Sequence, residues 1–189
     1  MSTKKKALFL DRDGVINIDH GYVHTPEQFE FVDGIFELCQ SAVNNGYCVI
    51  VVTNQAGIGR GYFSETQFHQ IKEWMCERFK DKNVLITDVF YCPCHPEYGV
   101  GHYRKESFNR KPNPGMLLRA AEKHRLDLKR SLMIGDKDSD MHAANKAGIG
   151  IRCHYLVGTD GEETVSDAAT HKIHSLHDAI SLLSSGVGV

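Results

Sequence analysis

The amino-acid sequence predicts an α/β fold in which helices cover both faces of a doubly wound, mostly parallel sheet. Short apolar runs alternate with helical patterns along the 189 residues, and this alternation is typical of βα units. The apolar runs have the character of buried strands. The spacing between them is too short to hold a large cap domain. We therefore predict three layers with Rossmann-like topology in a single domain over residues 1–189.

The first elements follow from the apolar runs near the N-terminus. Residues 7–10 form a short buried strand that ends at Asp11. Residues 35–45 have a helical pattern, which Gly46 ends. Residues 48–52 are again apolar and predict a second buried strand.

The next helix has a recognisable start. Ser64 and Gln67 have the spacing of a capping box, in which each side chain binds the other residue's backbone N–H. Four apolar residues then recur on one helical face: Phe68, Ile71, Met75 and Phe79. A third strand is predicted at residues 88–91.

The second half of the chain continues the same alternation. Asn113 is predicted to cap a helix whose first residue is Pro114 and which ends at about His124. Before it, residues 93–109 have no clear pattern, and unpatterned loops of this length are usually functional. The remaining predicted elements are a strand at 131–134, a helix to about residue 147, a strand at 149–153, and a short strand and helix from about 172 to 183.

The composition is that of an ordinary globular protein. The formal net charge is −2, which gives no field that would gather nucleic acid or an anionic membrane. No segment is long and apolar enough for a signal-peptide core or a membrane span. We therefore expect a cytoplasmic monomer that binds neither nucleic acid nor membranes, whose six cysteines are thiols or metal ligands.

Four polar signatures fall where strands or helices begin and end. They occupy residues 11–17 (DRDGVIN), 53–55 (TNQ), 110–112 (RKP) and 135–140 (GDKDSD). Open α/β sheets place functional residues beyond the carboxyl ends of their strands, so these signatures are expected to meet at one edge. Each alone is ordinary turn or capping chemistry. Their joint order is what indicates a site.

The residue types in these signatures suit the transfer of a phosphoryl group. Asp11 can be a nucleophile, because a carboxylate can form an acyl-phosphate intermediate. Two residues on in an extended segment, Asp13 points to the same side and can act as general acid and then base. Lys111 and the Thr53 hydroxyl can stabilise the phosphoryl oxygens.

Two carboxylates facing a phosphate dianion repel it, so the predicted site needs a metal ion. Asp11, the Asp13 carbonyl and Asp136 form an all-oxygen ligand set. Hard oxygen ligands suit Mg²⁺, which keeps several waters in its octahedron. The sequence therefore predicts a magnesium-dependent phosphatase.

The four signatures resemble, in order and spacing, the four motifs of the haloacid dehalogenase superfamily, from about residue 7 to residue 156. Within it the chain closely resembles the D-glycero-D-manno-heptose-1,7-bisphosphate 7-phosphatase family, which is capless and serves lipopolysaccharide and other surface polysaccharides. The segments that carry this likeness are FLDRDGVIN (9–17), GYVHTPEQFEF (21–31), TNQAGIGRGYF (53–63) and RKPNPGML (110–117).

This resemblance implies hydrolysis of the 7-phosphate through an aspartyl-phosphate intermediate. It also implies a set of substrate-binding residues: Asp19, His20, Gly21, Tyr22, Asn54, Gln55, Arg110 and Lys137. In this set Arg110 would recognise the distal part of the substrate, where a planar, bidentate cation suits a second phosphate.

The family often carries a structural zinc, which is doubtful here. In the family pattern a Cys-x-His pair and then a Cys-x-Cys pair hold the ion. In this chain the first pair reads Cys92-Pro93-Cys94-His95, and Ser107 and Asn109 stand where the second pair would be. Structural zinc requires four nitrogen or sulfur ligands. A rearranged site is the remaining possibility, and its ligands would be Cys92, Cys94, His95 and His102.

Three alternatives stay open. A histidinol-phosphate phosphatase, or an enzyme for another small sugar phosphate, shares the same motifs, although residues 21–31 and 57–63 favour the heptose substrate. A phosphoacceptor signalling module also uses an Asp, a hydroxyl and a Lys around Mg²⁺, but here the acceptor would follow the first strand rather than the third. A zinc-loop interaction protein would depend only on Cys92, Cys94 and His95.

Overall fold

The computed structural model describes residues 4–156 and 164–184 of the chain, so residues 1–3, 157–163 and 185–189 of the predicted 1–189 domain lie outside it. Its centre is a six-stranded sheet in the order β3-β2-β1-β4-β5-β6, and every pairing is parallel. The strands are β1 (Lys6–Leu10), β2 (Tyr47–Asn54), β3 (Ile86–Cys92), β4 (Leu132–Gly135), β5 (Ile151–Tyr155) and β6 (His171–Ile173). This order reverses direction at β1, as in a doubly wound fold.

Helices cover both faces of this sheet and give the three predicted layers. The helices are α1 (Ile35–Asn44), α2 (Ala56–Gly59), α3 (Glu65–Asp81), α4 (Gly115–His124), α5 (Asp138–Ala147) and α6 (Ile180–Ser184). Helices α1, α3 and α6 pack on one face, and α4 and α5 pack on the other. No large cap interrupts this arrangement in the described part of the chain. No helix there is both long and apolar enough to cross a membrane.

Side chains along β1 alternate between the two faces of the sheet and so contribute to two hydrophobic cores. Leu8 and Leu10 point to the core shared with α1 and α3, while Ala7 and Phe9 point to the core shared with α4 and α5. All four side chains are fully buried. A strand buried on both faces is apolar at every position, which is why this run carries no period-2 pattern.

The start of α3 confirms the predicted capping box. The Ser64 hydroxyl accepts a hydrogen bond from the Gln67 N–H at 3.1 Å, and the Gln67 side-chain oxygen accepts one from the Ser64 N–H at 2.8 Å. The four apolar residues predicted to share a helical face are the buried residues of this helix. Local spacing therefore fixed both the start and the orientation of α3.

The predicted start of α4 is wrong by one residue. Pro114 is the N-cap, and the helix begins at Gly115. Asn113 does not cap the helix, because its side-chain amide instead donates to the Ser107 carbonyl at 3.1 Å. A contact with the preceding loop, six residues earlier, has taken the group that capping would use.

The fifth strand starts two residues later than predicted. Ile149 lies two residues beyond α5 and helps to cap it, because its N–H donates to the Ala144 carbonyl at 3.0 Å. Gly148 precedes it with a φ of 82°, a left-handed conformation that ends helices readily. An apolar residue at this position thus closes a helix rather than opening a strand.

Candidate active site

The predicted signatures converge at the carboxyl ends of three adjacent strands, β1, β2 and β4. A cavity of about 350 Å³ lies there, within the range of small-ligand sites. Ten predicted site residues line it: Asp11, Asp13, Asp19, Gly21, Tyr22, Thr53, Asn54, Gln55, Lys111 and Lys137. His20, Arg110 and Asp136 are not among its lining residues.

Asp11 follows β1 directly and lies at the buried base of this cavity. Its backbone N–H donates to the Ile134 carbonyl at 3.1 Å, which continues the pairing of β1 with β4. Its Oδ1 lies 2.9 Å from the Lys111 ammonium and accepts the Arg12 N–H at 2.7 Å. Burial, and then the nearby Asp140 charge, raise the pKa of Asp11, whereas Lys111 acts in the opposite direction.

Lys111 is a fully ion-paired cation at the centre of the site. Its ammonium lies 2.9 Å from Asp11 and 2.6 Å from Asp140, and it donates to the Val52 carbonyl at 2.9 Å. Burial opposes its charge, but Asp11 and Asp140 outweigh that effect and raise the pKa of Lys111. Its backbone is also fixed, because the Asn54 side-chain amide donates to its carbonyl and accepts from its N–H, each at 3.0 Å.

Asn54 and Gln55 therefore have clear contacts inside the protein. Both polar atoms of the Asn54 amide are engaged by the Lys111 backbone. The Gln55 amide donates to Asp13 Oδ2 and to the Thr53 hydroxyl oxygen, both at 2.9 Å. These contacts hold the catalytic candidates in place, and the substrate contacts expected for Asn54 and Gln55 stay predictions.

Asp13 sits above Asp11 on the same loop and is held by three side chains. Arg12 donates to both of its carboxylate oxygens, through Nε at 3.1 Å each and through Nη2 to Oδ1 at 2.7 Å. The Asn17 and Gln55 amides donate to its two oxygens at 3.1 and 2.9 Å. The carboxyl group that could move a proton is thus oriented before any ligand binds.

Asp136 approaches the same loop so closely that the loop needs a glycine. A Cβ atom added to Gly14 would lie 2.2 Å from Asp136 Oδ2, and Gly14 has a φ of +93°. Oδ1 of Asp136 is buried without a hydrogen-bond partner among the described residues. Burial and the Asp11 charge raise the pKa of Asp136 to about 7. Its Oδ2 lies 3.7 Å from the Lys137 ammonium, so the charge of this largely buried carboxylate is incompletely compensated.

A divalent metal ion fits this deficit. Carboxylate oxygens of Asp11, Asp136 and Asp140 lie within 4.8 Å of one another. Such a set of hard oxygen donors suits Mg²⁺. The sequence predicted two of these residues as ligands, and the predicted ligation by the Asp13 carbonyl stays a prediction.

The segment after β4 brings a second cation to the cavity. Lys137 lies 3.1 Å from Asp19 and 3.7 Å from Asp136. Burial opposes its charge, while Asp136, Asp11 and Asp19 together raise the pKa of Lys137. Burial also opposes ionisation of Asp19, but the charge and hydrogen bond of Lys137 outweigh it and lower the pKa of Asp19.

Two predicted substrate residues lie outside the cavity lining. The His20 ring is half exposed and pairs with Glu30 at 3.2 Å. The Arg110 guanidinium donates to the Cys94 carbonyl at 3.2 Å and is partly buried. The structure thus connects Arg110 to the loop that follows β3, and the roles of both residues in binding remain predictions.

The candidate zinc ligands do not come together. Although Cys92, Cys94, His95 and His102 are all described, no three of their ligand atoms lie within 4.8 Å of one another. His95 Nδ1 accepts backbone N–H groups of Glu97 and Tyr98, each at 3.2 Å. The residues present therefore do not fit a tetrahedral zinc site.

The loop that zinc would have held is attached in another way. Tyr103 lies in a short 3₁₀ turn within it, and its hydroxyl donates to Glu65 Oε1 at 2.8 Å. Tyr91 of β3 donates to the other Glu65 oxygen at 2.9 Å. The Val100 N–H also donates to the Gly59 carbonyl at 2.7 Å. We call Glu65, Tyr91 and Tyr103 the Glu65 clamp.

Two residues of the site had no predicted role, Arg12 and Asp140. Both are buried, with Asp140 fully inaccessible and Arg12 2% exposed. Asp140 already stood in the predicted 135–140 signature, four residues after Asp136, so its spacing was the available signal. Arg12 gave no comparable signal, because a lone arginine in a loop is normally exposed.

Comparison with known proteins agrees with this geometry. A family model described as HAD-hydrolase-like matches residues 108–179. The chain is 49% identical to the D-glycero-alpha-D-manno-heptose-1,7-bisphosphate 7-phosphatase of Burkholderia mallei, over 95% of this chain and 94% of that protein. It is 44% identical to the D-glycero-beta-D-manno-heptose-1,7-bisphosphate 7-phosphatase of Vibrio cholerae, over 92% of this chain and 94% of that protein.

A solved structure extends the likeness to three dimensions. The D,D-heptose 1,7-bisphosphate phosphatase of B. bronchiseptica, complexed with magnesium and phosphate, matches with a TM-score of 0.80 and 25% identity, over 95% of this chain and 98% of that one. The fold and the site define a phosphatase of the haloacid dehalogenase superfamily. Given relatives of this identity over nearly the whole chain, it belongs to the D-glycero-D-manno-heptose-1,7-bisphosphate 7-phosphatase family.

Proposed function

We propose that this phosphatase removes the 7-phosphate of D-glycero-D-manno-heptose 1,7-bisphosphate through an aspartyl-phosphate intermediate on Asp11. The observation that carries the mechanism is the position of Asp11. Its carboxylate lies at the base of the cavity, 2.9 Å from the Lys111 ammonium and beside the Asp13 carboxyl group. The substrate class is supported by the relatives that share the four signatures.

In the first step an Asp11 oxygen attacks phosphorus and the bond from phosphorus to the sugar oxygen breaks. Asp13 gives its proton to the departing alkoxide, which is a poor leaving group without one. Lys111 and the Thr53 hydroxyl stabilise the charge on the phosphoryl oxygens. The products are the heptose 1-phosphate, with a free hydroxyl at position 7, and an acyl phosphate on Asp11.

In the second step water attacks the acyl phosphate. Asp13, now ionised, takes a proton from that water, so that its two roles follow one another. Inorganic phosphate leaves and the Asp11 carboxylate is restored. Gln55 supports both steps, because it holds Asp13 and Thr53 at 2.9 Å each.

Magnesium, held by Asp11, Asp136 and the Asp13 carbonyl, would supply charge neutralisation and Lewis-acid polarisation of a phosphoryl oxygen. Asp140 lies in the same carboxylate cluster but also contacts Lys111 at 2.6 Å. We therefore assign Asp140 to holding Lys111.

The rest of the substrate would be recognised at the rim of the cavity. Asp19, Gly21, Tyr22 and Lys137 line it and are placed to contact the sugar. Arg110 would bind the distal phosphate, since a guanidinium matches phosphate geometry. We further propose that the chain works as a cytoplasmic monomer without nucleic acid; its described cysteines are all free thiols, as expected in a reducing compartment.

A substrate panel tests this proposal. Both anomers of the heptose bisphosphate, histidinol phosphate and hexose bisphosphates would be assayed with and without Mg²⁺. We expect one heptose anomer to have the highest kcat/KM and activity to require the metal. Asp11→Asn should leave the fold intact and turnover at background. Histidinol phosphate as the best substrate, or an active Asp11→Asn variant, would contradict the proposal.

A further inference from the structure

Arg12 is a charged side chain buried in the middle of the catalytic loop. It is 2% exposed and stands between the two catalytic carboxylates in sequence. Burying a guanidinium is costly unless it is paired and hydrogen-bonded. The contacts of Arg12 therefore indicate why a charged side chain is kept at this position.

The guanidinium forks around Asp13. Nε lies 3.1 Å from both carboxylate oxygens, and Nη2 lies 2.7 Å from Oδ1. The same Nη2 donates to the Val23 carbonyl at 2.6 Å. Such a planar fork fixes the direction of a carboxyl group, which a point charge such as lysine cannot do.

Two aromatic rings shield the Arg12 side of this pair from water, while Asp13 remains 16% exposed at the cavity. The Arg12 guanidinium carbon lies 6.0 Å from the ring centre of Phe29 and 5.9 Å from that of Phe68. Both phenylalanines are buried. Because the local dielectric is low, the contact between Arg12 and Asp13 is stronger than a surface ion pair.

The contact with Val23 joins the catalytic loop to residues 19–22, which we call the recognition segment. Val23 follows Asp19, Gly21 and Tyr22, which line the cavity. One guanidinium therefore fixes both the proton-transfer group and the end of the segment expected to contact the sugar.

We propose that Arg12 is a positioning residue for proton transfer, directing the Asp13 carboxyl group toward the oxygen of the leaving alcohol. This inference rests on the proposed function, because it assigns Asp13 the role of general acid. Stability alone does not explain the residue, since replacing a buried ion pair with apolar groups is often neutral or stabilising. Asn17 and Gln55 are the other donors to Asp13, and neither offers a charged fork.

Arg12→Met tests the proposal, because it removes the fork while keeping the length of the side chain. The measurement is kcat/KM, which covers the steps up to phosphoryl transfer, on the heptose bisphosphate and on p-nitrophenyl phosphate. The aryl leaving group needs little protonation. We expect a loss of about 10²-fold on the sugar phosphate and less than about 10-fold on the aryl phosphate. Equal losses on both substrates would overturn the proposal.

Arg12→Met could lower activity by impairing proton transfer or by loosening the recognition segment. A double-mutant cycle with the sugar phosphate as the substrate separates these two effects. If Arg12 acts through Asp13, the kcat of Arg12→Met with Asp13→Asn matches that of Asp13→Asn. A further loss of about 10-fold or more would overturn the proposal. Arg12→Lys should retain an intermediate kcat, and it replaces Arg12→Met in both comparisons if the latter does not fold.

Arg78→Met is the matched control, since Arg78 is partly exposed on α3 and pairs with Asp81 at 2.9 Å, away from the cavity. Its kinetics should equal those of the wild type. Failure of the wild type to hydrolyse any sugar phosphate would reject the proposed function itself. An active wild type whose Arg12 variants lose kcat/KM equally on both substrates would reject only the role of Arg12.

Discussion

At the scale of single residues, the site is built from charges that are buried together. Asp11, Lys111 and Asp140 have almost no exposed surface, and the lysine lies between the two carboxylates at 2.9 and 2.6 Å. Removing one member of a buried ion pair leaves the other uncompensated. The position of Lys111 relative to the transferring phosphate therefore depends on Asp140, which does not contact the substrate in the proposed mechanism.

Asp140→Asn should reduce kcat by about 10²-fold, because Lys111 loses the partner that holds it in place. KM should change little, since the recognition residues are untouched. Steady-state kinetics, with the free energy of unfolding measured in urea, checks this. A wild-type kcat would show that Lys111 does not need Asp140, and an unfolded variant would show a structural role instead.

At the scale of secondary-structure elements, two contacts tie neighbouring segments together. The Glu65 clamp joins α3, β3 and the loop of residues 93–109. On the other face, Asp88 of β3 accepts from His124 Nε2 and lies near Lys123 Nζ of α4, both at 2.7 Å. The first contact replaces what a metal would supply, and the second fixes the helix that follows the catalytic lysine.

Glu65→Ala should loosen the loop without affecting the sheet. Two hydrogen bonds to a charged acceptor are lost, and we expect amide exchange at Val100 and His95 to speed up by about 10-fold or more. A zinc-selective chelator, added with Mg²⁺ kept in excess, should leave the melting temperature of the wild type unchanged. Glu77→Ala, on an exposed position of the same helix, is the control. Stoichiometric zinc in the purified protein would contradict this account.

Asp88 gives a pH dependence whose sign follows from its pKa. Burial opposes its ionisation, but Lys123 and His124 outweigh burial and lower the pKa of Asp88. A carboxyl group whose pKa is lowered by folding stabilises the folded state at every pH above its pKa in the unfolded chain, about 3.9. That stability is lost as the pH falls through the pKa of the folded state.

Asp88→Asn should therefore cost about 0.5–1 kcal/mol at pH 7, the range of a partly exposed ion pair, and much less at pH 3. Urea unfolding at the two pH values measures the difference between variant and wild type. An equal difference at both values would mean that the charge of Asp88 does not contribute.

At the scale of the whole molecule, a small α/β domain builds its specificity without a large cap. The candidate catalytic and metal-binding groups come from the ends of β1, β2 and β4 and, for Lys111, from the loop before α4. The rim of the cavity comes from Asp19, Gly21, Tyr22 and Lys137. Arg110 is attached to the loop after β3 through the Cys94 carbonyl. If Arg110 binds the second phosphate as proposed, its position depends on how the 93–109 loop folds back on itself.

Arg110→Ala should reduce kcat/KM for the heptose bisphosphate by about 10–100-fold, the value of one lost charge-assisted contact. The loss for the matching 7-monophosphate should be far smaller, because it has no distal phosphate. Arg104→Ala, an exposed arginine of the same loop, serves as the control. Equal losses on the two substrates would argue against a distal-phosphate site.

The sequence by itself determined the alternation of strands and helices, the capping box at Ser64, and the order of the four signatures. These features depend on local spacing, which a linear chain displays directly. Only the tertiary structure decided that Arg12 hydrogen-bonds Asp13, that Asp140 forms an ion pair with Lys111, and that Asn113 donates to Ser107 instead of capping α4. Even between sequence neighbours such as Arg12 and Asp13, these contacts depend on which groups the fold places together in a buried or partly buried space, and the cost of leaving a buried charge or amide unpaired selects among them.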